Sequence, residues 1–205
     1  MEFEKLTDYI EDLYQDYEMM STHEFVSRTE MKEFCPVIQT ETARLLMLLL
    51  RAKRPEKVLE IGTSVGYSAT SMARVVKEWG GRVITIEFDE KVAEQAKKNF
   101  EFAGVSDVIE LLIGDALELV PRMEERYDFI FLDPFNDIYP RLIEDCVSLL
   151  NQGGILVADD TLFPVLKEEG LDSPLHEYNR RVAKNSNLES TILPVGDGVT
   201  IAVKK

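Results

Sequence analysis

Short apolar segments alternate with amphipathic helical segments along most of the chain, and this alternation restricts the fold more than any other feature. The apolar segments are Lys57–Ile61, Val83–Glu87, Val108–Ile113, Tyr127–Asp133 and Ile155–Asp159. The helical segments between them are 66–79, 89–103, 116–120 and 137–150. Strands linked in this way form a parallel sheet that helices cover on both faces. We therefore predict a doubly wound α/β fold.

The end of the sequence departs from this alternation. Leu188–Val195 and Val199–Lys204 have the composition of strands, and Gly196-Asp197-Gly198 between them is a tight-turn signal. The connection leaves no room for a crossover helix. We predict a seven-stranded, mostly parallel, Rossmann-like sheet that ends in an antiparallel hairpin, which is typical of methyltransferases and not of dehydrogenases.

Two further helices precede the alternating region. Residues 3–20 and 40–52 carry apolar residues at helical spacing. A length of 205 residues suits one α/β domain. We predict a single domain over 1–205, with an N-terminal helical cap at 1–53 and an α/β core at 54–205. The cap could cover the site, pack on its own sheet, or pack against a second subunit.

Charge and composition limit the partners. The formal net charge is −15, and so acidic a surface repels phosphate backbones and anionic lipids. The acidic N-terminus has no signal-peptide pattern, and the apolar stretch Leu45–Leu50 is too short to span a bilayer. Cys35 and Cys146 lack metal-ligand spacing and are expected to be reduced thiols. We expect a cytoplasmic protein that acts on a small molecule, with no nucleic acid or membrane as partner.

A glycine turn follows the first strand of the alternating region. Gly62 lets the backbone approach a ligand, and Gly66 lets the next helix start close to the strand. The spacing is GxxxG, whereas the turn that binds a dinucleotide's diphosphate is GxGxxG. Glu60 beside the turn would repel a diphosphate but suits the ammonium group of a methionine moiety. This pattern favours S-adenosylmethionine as cofactor.

The next two strands end in residues that suit the rest of this cofactor. Glu87 lies 21 residues after Gly66, where an acid in a doubly wound fold binds the ribose hydroxyls. Gly114-Asp115-Ala116 follows the third strand and can meet the adenine. The predicted cofactor-binding residues are Glu60, Gly62, Ser64, Gly66, Ser68, Glu87, Phe88, Gly114, Asp115, Ala116 and Asp133. Each feature alone also has a purely structural explanation.

Acidic residues end the fourth and fifth strands. Asp133 follows one, and Asp159 and Asp160 follow the other, so we expect the three carboxylates to lie close together. Like charges at short distance need a counter-ion, and Mg²⁺ or another divalent cation prefers oxygen ligands. The alternative is that these acids cap the helices that follow. We predict a metal site at Asp133, Asp159 and Asp160.

From about Pro36 onward the sequence resembles the cation-dependent O-methyltransferases of the catechol and caffeoyl-coenzyme A type. The segments that carry the resemblance are VLEIGTSVGYSA, IEFDEKVAEQAKKNF, GDA, YDFIFLDPFNDIYPRLIEDCVSLLNQGGILVADDTLF, HEYNRRVA and LPVGDGVTIAVKK. The resemblance implies a seven-stranded sheet with a reversed last strand, cofactor contacts in the turns named above, and a homodimer. It also implies that Cys35–Glu41 closes over the site and that residues 161–176 form a variable substrate loop.

Two positions depart from the family pattern. Asp160 stands where the third metal ligand is usually Asn. Asn136 stands where the family has a lysine that helps deprotonate the substrate hydroxyl, and a neutral amide cannot take that proton. We predict Asp133 and Asn136 as catalytic residues. The proton could leave with help from the metal alone or to Asp137 or His176, or catechol-type activity could be lost.

The predicted function is methyl transfer from S-adenosylmethionine to a hydroxyl of a small catechol-like or phenolic substrate. Two alternatives remain open: methylation of a hydroxylated uridine in tRNA, and a cofactor-binding protein with lost or altered catalysis.

Overall fold

The computed structural model describes residues 5, 9–10, 12–14, 21–166 and 172–205. The predicted helix over residues 3–20 therefore lies mostly outside the described residues, as does part of the predicted substrate loop at 161–176. None of the helices within the described ranges is long and apolar enough to cross a bilayer.

Seven strands form one sheet, as the sequence predicts. They are β1 (Lys57–Ile61), β2 (Arg82–Glu87), β3 (Ile109–Ile113), β4 (Tyr127–Leu132), β5 (Leu150–Ala158), β6 (Leu188–Leu193) and β7 (Val199–Lys204). Their order across the sheet is β3-β2-β1-β4-β5-β7-β6. β1 to β5 pair in parallel, and β7 is antiparallel to both β5 and β6. The doubly wound sheet and its terminal hairpin are confirmed.

Helices occupy the connections between the strands. They are α1 (Thr22–Arg28), α2 (Thr40–Lys53), α3 (Tyr67–Val76), α4 (Glu90–Ala103), α5 (Ala116–Leu119), α6 (Tyr139–Leu149), α7 (Phe163–Leu166) and α8 (Pro174–Lys184). Short 3₁₀ turns at Lys77–Trp79, Val120–Arg122 and Asn136–Ile138 extend some of these connections. Two clusters of buried apolar residues, one on each face of the sheet, form the core.

β5 differs from its predicted span. The strand is predicted to begin at Ile155, after a helical segment at 137–150, but it already begins at Leu150. Tyr127 pairs with Leu150, and the register shifts before Phe129 pairs with Ile155. The polar residues and glycines of this stretch therefore form an irregular start of the strand and not a loop. Its end at Ala158 agrees with the prediction, so Asp159 still follows the strand.

Candidate functional site

A cavity of about 1600 Å³ lies at the carboxyl ends of the parallel strands. Predicted site residues from the ends of five strands line it: Gly62, Ser64, Glu87, Phe88, Gly114, Ala116, Asp133, Asn136, Asp159 and Asp160. Residues 33–39 and Asp197 in the β6–β7 turn also line it. The former overlap Cys35–Glu41, the segment that the resemblance implies to close over the site, which we call the closing segment. Open α/β sheets bind their ligands at this edge. We call the part at the ends of β1, β2 and β3 the β1–β3 half, and the rest the β4–β5 half.

The two glycines of the turn after β1 are required by packing. Gly62 has φ +99°, and a Cβ atom on it would lie 2.1 Å from the Asp133 carbonyl oxygen. Gly66 has φ +88°, and a Cβ atom there would lie 2.4 Å from Cε1 of Phe100 in α4. Close approach to β4 and to α4 therefore explains both glycines without any ligand. The Gly62 contact also brings the β1–β3 half directly against the β4–β5 half.

Glu87 is held in a fixed orientation at the end of β2. Its Oε2 accepts a hydrogen bond from the Ser64 amide at 2.8 Å, and its Oε1 accepts one from the Asp89 amide at 3.0 Å. Burial raises the pKa of Glu87, and these backbone N–H groups oppose that shift. The carboxylate is thus oriented by the backbone before any ligand binds.

Glu60 and Ser68 lie behind the turn and not in the cavity lining. Glu60 is fully buried, and its Oε2 accepts a hydrogen bond from Thr85 Oγ1 at 2.5 Å. Thr85 in turn lies 2.6 Å from the Thr63 hydroxyl. Burial raises the pKa of Glu60 to about 7, and the hydroxyls of Ser68 and Thr85 oppose the shift. Oε1 of Glu60 is buried and has no hydrogen-bond partner among the described residues.

The turn after β3 contributes backbone and an apolar surface. The Gly114 amide donates to the Glu87 carbonyl at 2.8 Å. Asp115 caps α5 by accepting from the Leu117 amide at 2.8 Å, and it does not line the cavity. Ala116 does line it, as does Phe88, whose side chain is 67% exposed. The structure therefore assigns Asp115 a capping role and leaves Phe88 and Ala116 facing the cavity.

The carboxylates of Asp133, Asp159 and Asp160 interact electrostatically in the β4–β5 half. Burial raises the pKa of Asp133 well above its usual range, and the charges of Asp159 and Asp160 raise it further. Asp159 is 5% exposed, and burial followed by the charge of Asp160 raises its pKa to about 8. Its Oδ1 has no hydrogen-bond partner among the described residues. These carboxylates lie close enough to oppose each other's ionisation.

The carboxylate oxygens of this half are suitable ligands for a hard cation, but their positions are not those of a metal site. Mutually repelling carboxylates and an unpartnered buried oxygen are what a divalent cation would neutralise. Yet within the described ranges no three His, Cys, Asp or Glu side chains are grouped so that they could hold a metal ion. The predicted ligands share a cavity, but their side chains do not surround one point.

Tyr139, which the sequence did not single out, links the ends of β4 and β5. Its hydroxyl is buried and lies 3.2 Å from the Asp159 carbonyl oxygen and 3.4 Å from that of Leu132. Its ring packs edge-on against Tyr178 of α8, at a centroid distance of 5.3 Å. One donor thus contacts the backbone of both strands that carry the acidic residues. A tyrosine on a helix gives no sequence signal for this role.

The β6–β7 turn also forms part of the site. The amides of Thr161 and Leu162 donate to the carbonyls of Gly198 and Asp197, both at 3.0 Å. Nε2 of Gln39 in the closing segment donates to Asp197 Oδ2 at 3.2 Å. The turn therefore contacts both the segment after β5 and the closing segment. The sequence predicted the hairpin but not its contact with the site.

The candidate residues for proton transfer, Asp137 and His176, lie in different places in the structure. Asn136 begins the 3₁₀ turn after β4, and it lines the cavity together with the exposed Asp137. His176 lies in α8 outside that lining, in a separate surface pocket with Arg180 and Lys184. Of the two alternative bases, only Asp137 shares the cavity with the acidic residues.

The sequence model of the O-methyltransferase family matches residues 13–205. The chain belongs to this family. It is 29% identical to a catechol O-methyltransferase of Niastella koreensis over 99% of this chain and 98% of the relative. It is 35% identical to catechol O-methyltransferase B of Danio rerio over 65% of this chain, a match that spans about half (53%) of that relative's length.

The fold is shared with solved methyltransferases. The structure of an SAH-bound Podospora anserina methyltransferase superposes with a TM-score of 0.83 at 22% identity, covering 98% of this chain and 96% of that one. At this identity the likeness shows the fold. The family resemblance in the sequence is confirmed.

Proposed function

We propose that the chain transfers the methyl group of S-adenosylmethionine to a hydroxyl of a small catechol-like or phenolic acceptor. The observation that carries this proposal is the single cavity whose two halves meet at Gly62 and Asp133. One half presents an oriented carboxylate and an exposed aromatic ring, and the other presents a group of acidic side chains. A donor in the first half would therefore lie beside an acceptor in the second.

The β1–β3 half supports S-adenosylmethionine as the donor. The Glu87 carboxylate is oriented by two backbone amides, and both of its oxygens can still accept hydrogen bonds from ribose hydroxyls. Phe88 and Ala116 offer an apolar surface for an adenine ring. Glu60, which we predicted to meet the methionine ammonium, lies behind the turn, and one of its oxygens has no hydrogen-bond partner among the described residues. The structural relative of Podospora anserina holds SAH, the product of this donor.

We also propose that Asp133, Asp159 and Asp160 hold a divalent cation such as Mg²⁺. When bound, such a cation would supply charge that lowers the pKa of an acceptor hydroxyl. The raised pKa values of Asp133 and Asp159 support this, because burial and then the charges of neighbouring carboxylates raise them, and a bound cation would offset both effects. Binding would require the three side chains to turn toward a common point, since they are not grouped that way.

The reaction needs the acceptor oxygen to attack the methyl carbon in line with the breaking carbon–sulfur bond, and the hydroxyl proton must leave. Walls built by five strand ends can hold two ligands in such an alignment. Asn136 can orient a hydroxyl through a hydrogen bond but cannot accept its proton, whereas Asp137 in the same lining can. We assign orientation to Asn136 and proton acceptance to Asp137.

Product formation tests the function directly. The purified chain is incubated with S-adenosylmethionine, a catechol or a monophenol, and Mg²⁺, and the methylated product is measured by mass spectrometry. We expect turnover of the catechol, and a loss of most of it after addition of a chelator or in Asp133→Ala. Unchanged turnover without metal would refute the cation proposal. No product from any phenol, despite cofactor binding, would refute the acceptor class.

Asn136 favours one second candidate, a protein that binds the cofactor without catalysing catechol methylation. In that case calorimetry would show S-adenosylmethionine binding while no phenol is methylated. Restoring a lysine in Asn136→Lys would then produce activity, because the missing proton acceptor would be supplied.

We further propose a homodimer in which the N-terminal cap packs against a second subunit. Leu48 on α2 is 62% exposed, which leaves an apolar side chain available for such a contact. Light scattering on the full chain and on Leu48→Lys checks this. A monomer mass for the unmodified chain would contradict it.

A further inference from the structure

The turn after β5 holds one of its acidic residues in an uncommon backbone conformation. Asp160 has φ +61°, in the left-handed region that residues other than glycine seldom adopt, and it lines the cavity. Such a residue keeps its conformation where the surrounding structure fixes the backbone on both sides of it. The contacts of the two neighbouring residues therefore determine where the Asp160 side chain lies.

The residue before Asp160 is fixed by β4 and α6. The Asp159 amide donates to the Leu132 carbonyl of β4 at 3.0 Å. The Tyr139 hydroxyl lies 3.2 Å from the Asp159 carbonyl oxygen. Both polar groups of this peptide segment thus contact elements of the parallel core.

The residue after Asp160 is fixed by the β6–β7 turn and by α8. The Thr161 amide donates to the Gly198 carbonyl at 3.0 Å. Nδ2 of Asn179 in α8 donates to the Thr161 carbonyl oxygen at 2.6 Å. Thr161 is fully buried, so loss of the Asn179 donor would leave a carbonyl that water does not readily reach. Asn179 therefore holds the backbone directly after Asp160.

The side chain of Asn179 has this one contact within the described ranges. Its Oδ1 is buried and accepts no hydrogen bond from the described residues. A buried amide with an unsatisfied end is less favourable than an apolar residue of similar size. The neighbouring Tyr178 packs its ring edge-on against Tyr139, and its hydroxyl also lacks a partner among the described residues. Two consecutive residues of α8 thus support the turn, one through Tyr139 and one through Thr161.

α8 also reaches the cavity at its start. Residues 172–174, which lead into the helix, line the cavity. The helix then runs from Pro174 to Lys184, and Leu175 and Val182 bury it against the core. Hydrogen bonds within a helix make it move as one unit. α8 therefore connects residues 172–174 of the lining to Asn179.

We infer that Asn179 is a positioning residue for methyl transfer. By holding the Thr161 carbonyl it keeps Asp160 in its left-handed conformation, with the side chain at the cavity wall. Through α8 the same hydrogen bond ties the position of Asp160 to residues 172–174. This inference rests on the proposed function and adds a residue that acts from outside the cavity lining. Donor binding should not depend on it, because the donor is assigned to the β1–β3 half.

Steady-state kinetics on matched variants test the inference. Asn179→Leu keeps the branched shape without the donor, and Asn179→Ala is the smaller change. We expect kcat for catechol methylation to fall about 10- to 100-fold in both, and KM for S-adenosylmethionine to stay within about twofold. Tyr178→Phe is the control on the same helix, since it removes a buried hydroxyl that has no partner among the described residues, and it should keep kcat. Unchanged kcat in Asn179→Leu would overturn the inference.

Backbone NMR locates the effect without turnover. In the complex with S-adenosylhomocysteine, the amide resonances of Asp160 and Thr161 should shift in Asn179→Leu, whereas those of Ser64 and Gly114 should not. An unmoved Asp160 resonance would contradict the positioning role. So would a loss of S-adenosylhomocysteine affinity as large as the loss in kcat, because the damage would then extend to the whole site.

The two measurements separate this inference from the proposed function. If the unmodified chain methylates no phenol but the Asp160 resonance shifts in Asn179→Leu, Asn179 still positions Asp160 and the methyl-transfer proposal fails. If the unmodified chain methylates a catechol and Asn179→Leu does so at the same kcat, methyl transfer stands and the positioning role fails.

Discussion

The two halves of the cavity use carboxylates in opposite ways. In the β1–β3 half two acidic groups of the lining are paired by the backbone, since Glu87 accepts two amides and Asp89 caps α4. In the β4–β5 half burial raises the pKa of both Asp133 and Asp159, the charge of Asp160 raises both further, and one Asp159 oxygen has no partner among the described residues. The Glu87 and Asp89 carboxylates are thus oriented as folded, whereas those of the second half stay electrostatically unfavourable until positive charge arrives. Glu60, behind the first half, also keeps one buried oxygen without a partner among the described residues. In the proposed function the first half would hold the donor and the second would carry the reaction.

The largest effect should come from the contact that joins the halves. In Gly62→Ala the new Cβ would lie 2.1 Å from the Asp133 carbonyl oxygen, at a φ of +99° that side chains rarely adopt. We expect a loss of more than about 3 kcal/mol in the free energy of unfolding. Chemical denaturation measures it. The control Gly80→Ala has a similar φ of +78° but nothing within 4 Å, so about 1 kcal/mol of strain is expected. Equal losses would show that strain, and not the contact, decides.

Replacing Asp159 by a neutral residue should stabilise the folded protein by removing a buried charge from the β4–β5 half. The pKa of Asp159 is raised to about 8, so the folded state binds more protons than the unfolded state between about pH 4 and pH 8. Stability without metal therefore falls as the pH rises through that range. Asp159→Asn should raise the free energy of unfolding at pH 8 by on the order of 2 kcal/mol, and by little near pH 4. Melting temperatures at both pH values check this, and destabilisation at pH 8 would contradict it.

Neutralising the acidic residue of the β1–β3 half should be harmful, because it should weaken cofactor binding. In Glu87→Gln an amide replaces the acceptor that the Ser64 and Asp89 amides orient, so one of those N–H groups would face an NH₂ group. We expect S-adenosylhomocysteine to bind about 10- to 100-fold more weakly in calorimetry. Glu118→Gln, outside the cavity lining, is the control. Unchanged affinity in Glu87→Gln would refute the proposed contact between Glu87 and the ribose.

The smallest effect concerns the tyrosine below the acidic residues. Tyr139→Phe removes only the hydroxyl that lies near the Leu132 and Asp159 carbonyls. We expect a loss of about 1 kcal/mol in stability and a larger loss in kcat than in cofactor affinity. If Tyr139→Phe changed cofactor affinity and left kcat unchanged, Tyr139 would act on the β1–β3 half and not on the β4–β5 half.

The sequence predicted the sheet, its hairpin and the strand ends because local periodicity and glycine turns encode them. It also placed Asp133, Asp159 and Asp160 together, since parallel strands share one edge. It could not predict the Glu60–Thr85–Thr63 network or the Tyr139 contacts, because these join residues far apart in sequence through side-chain orientation. The early start of β5 was missed because Gly153 and Gly154 resemble a helix stop, whereas Leu150 already pairs with Tyr127 of β4 ahead of an irregular stretch in which Gly153 has φ +69°.

The contact between Gln39 and Asp197 joins residues 158 positions apart. During synthesis the ribosome adds about 5 to 20 residues each second. β5 ends at Ala158 and β7 ends at Lys204. The residues between these two ends take roughly 2 to 10 seconds to add, and during that time the edge of β5 lacks β7 beside it. Until the hairpin arrives, that edge presents open backbone groups to other chains. β7 therefore brings its turn to the site and, in the same step, covers the edge of β5 that would otherwise be open to other chains.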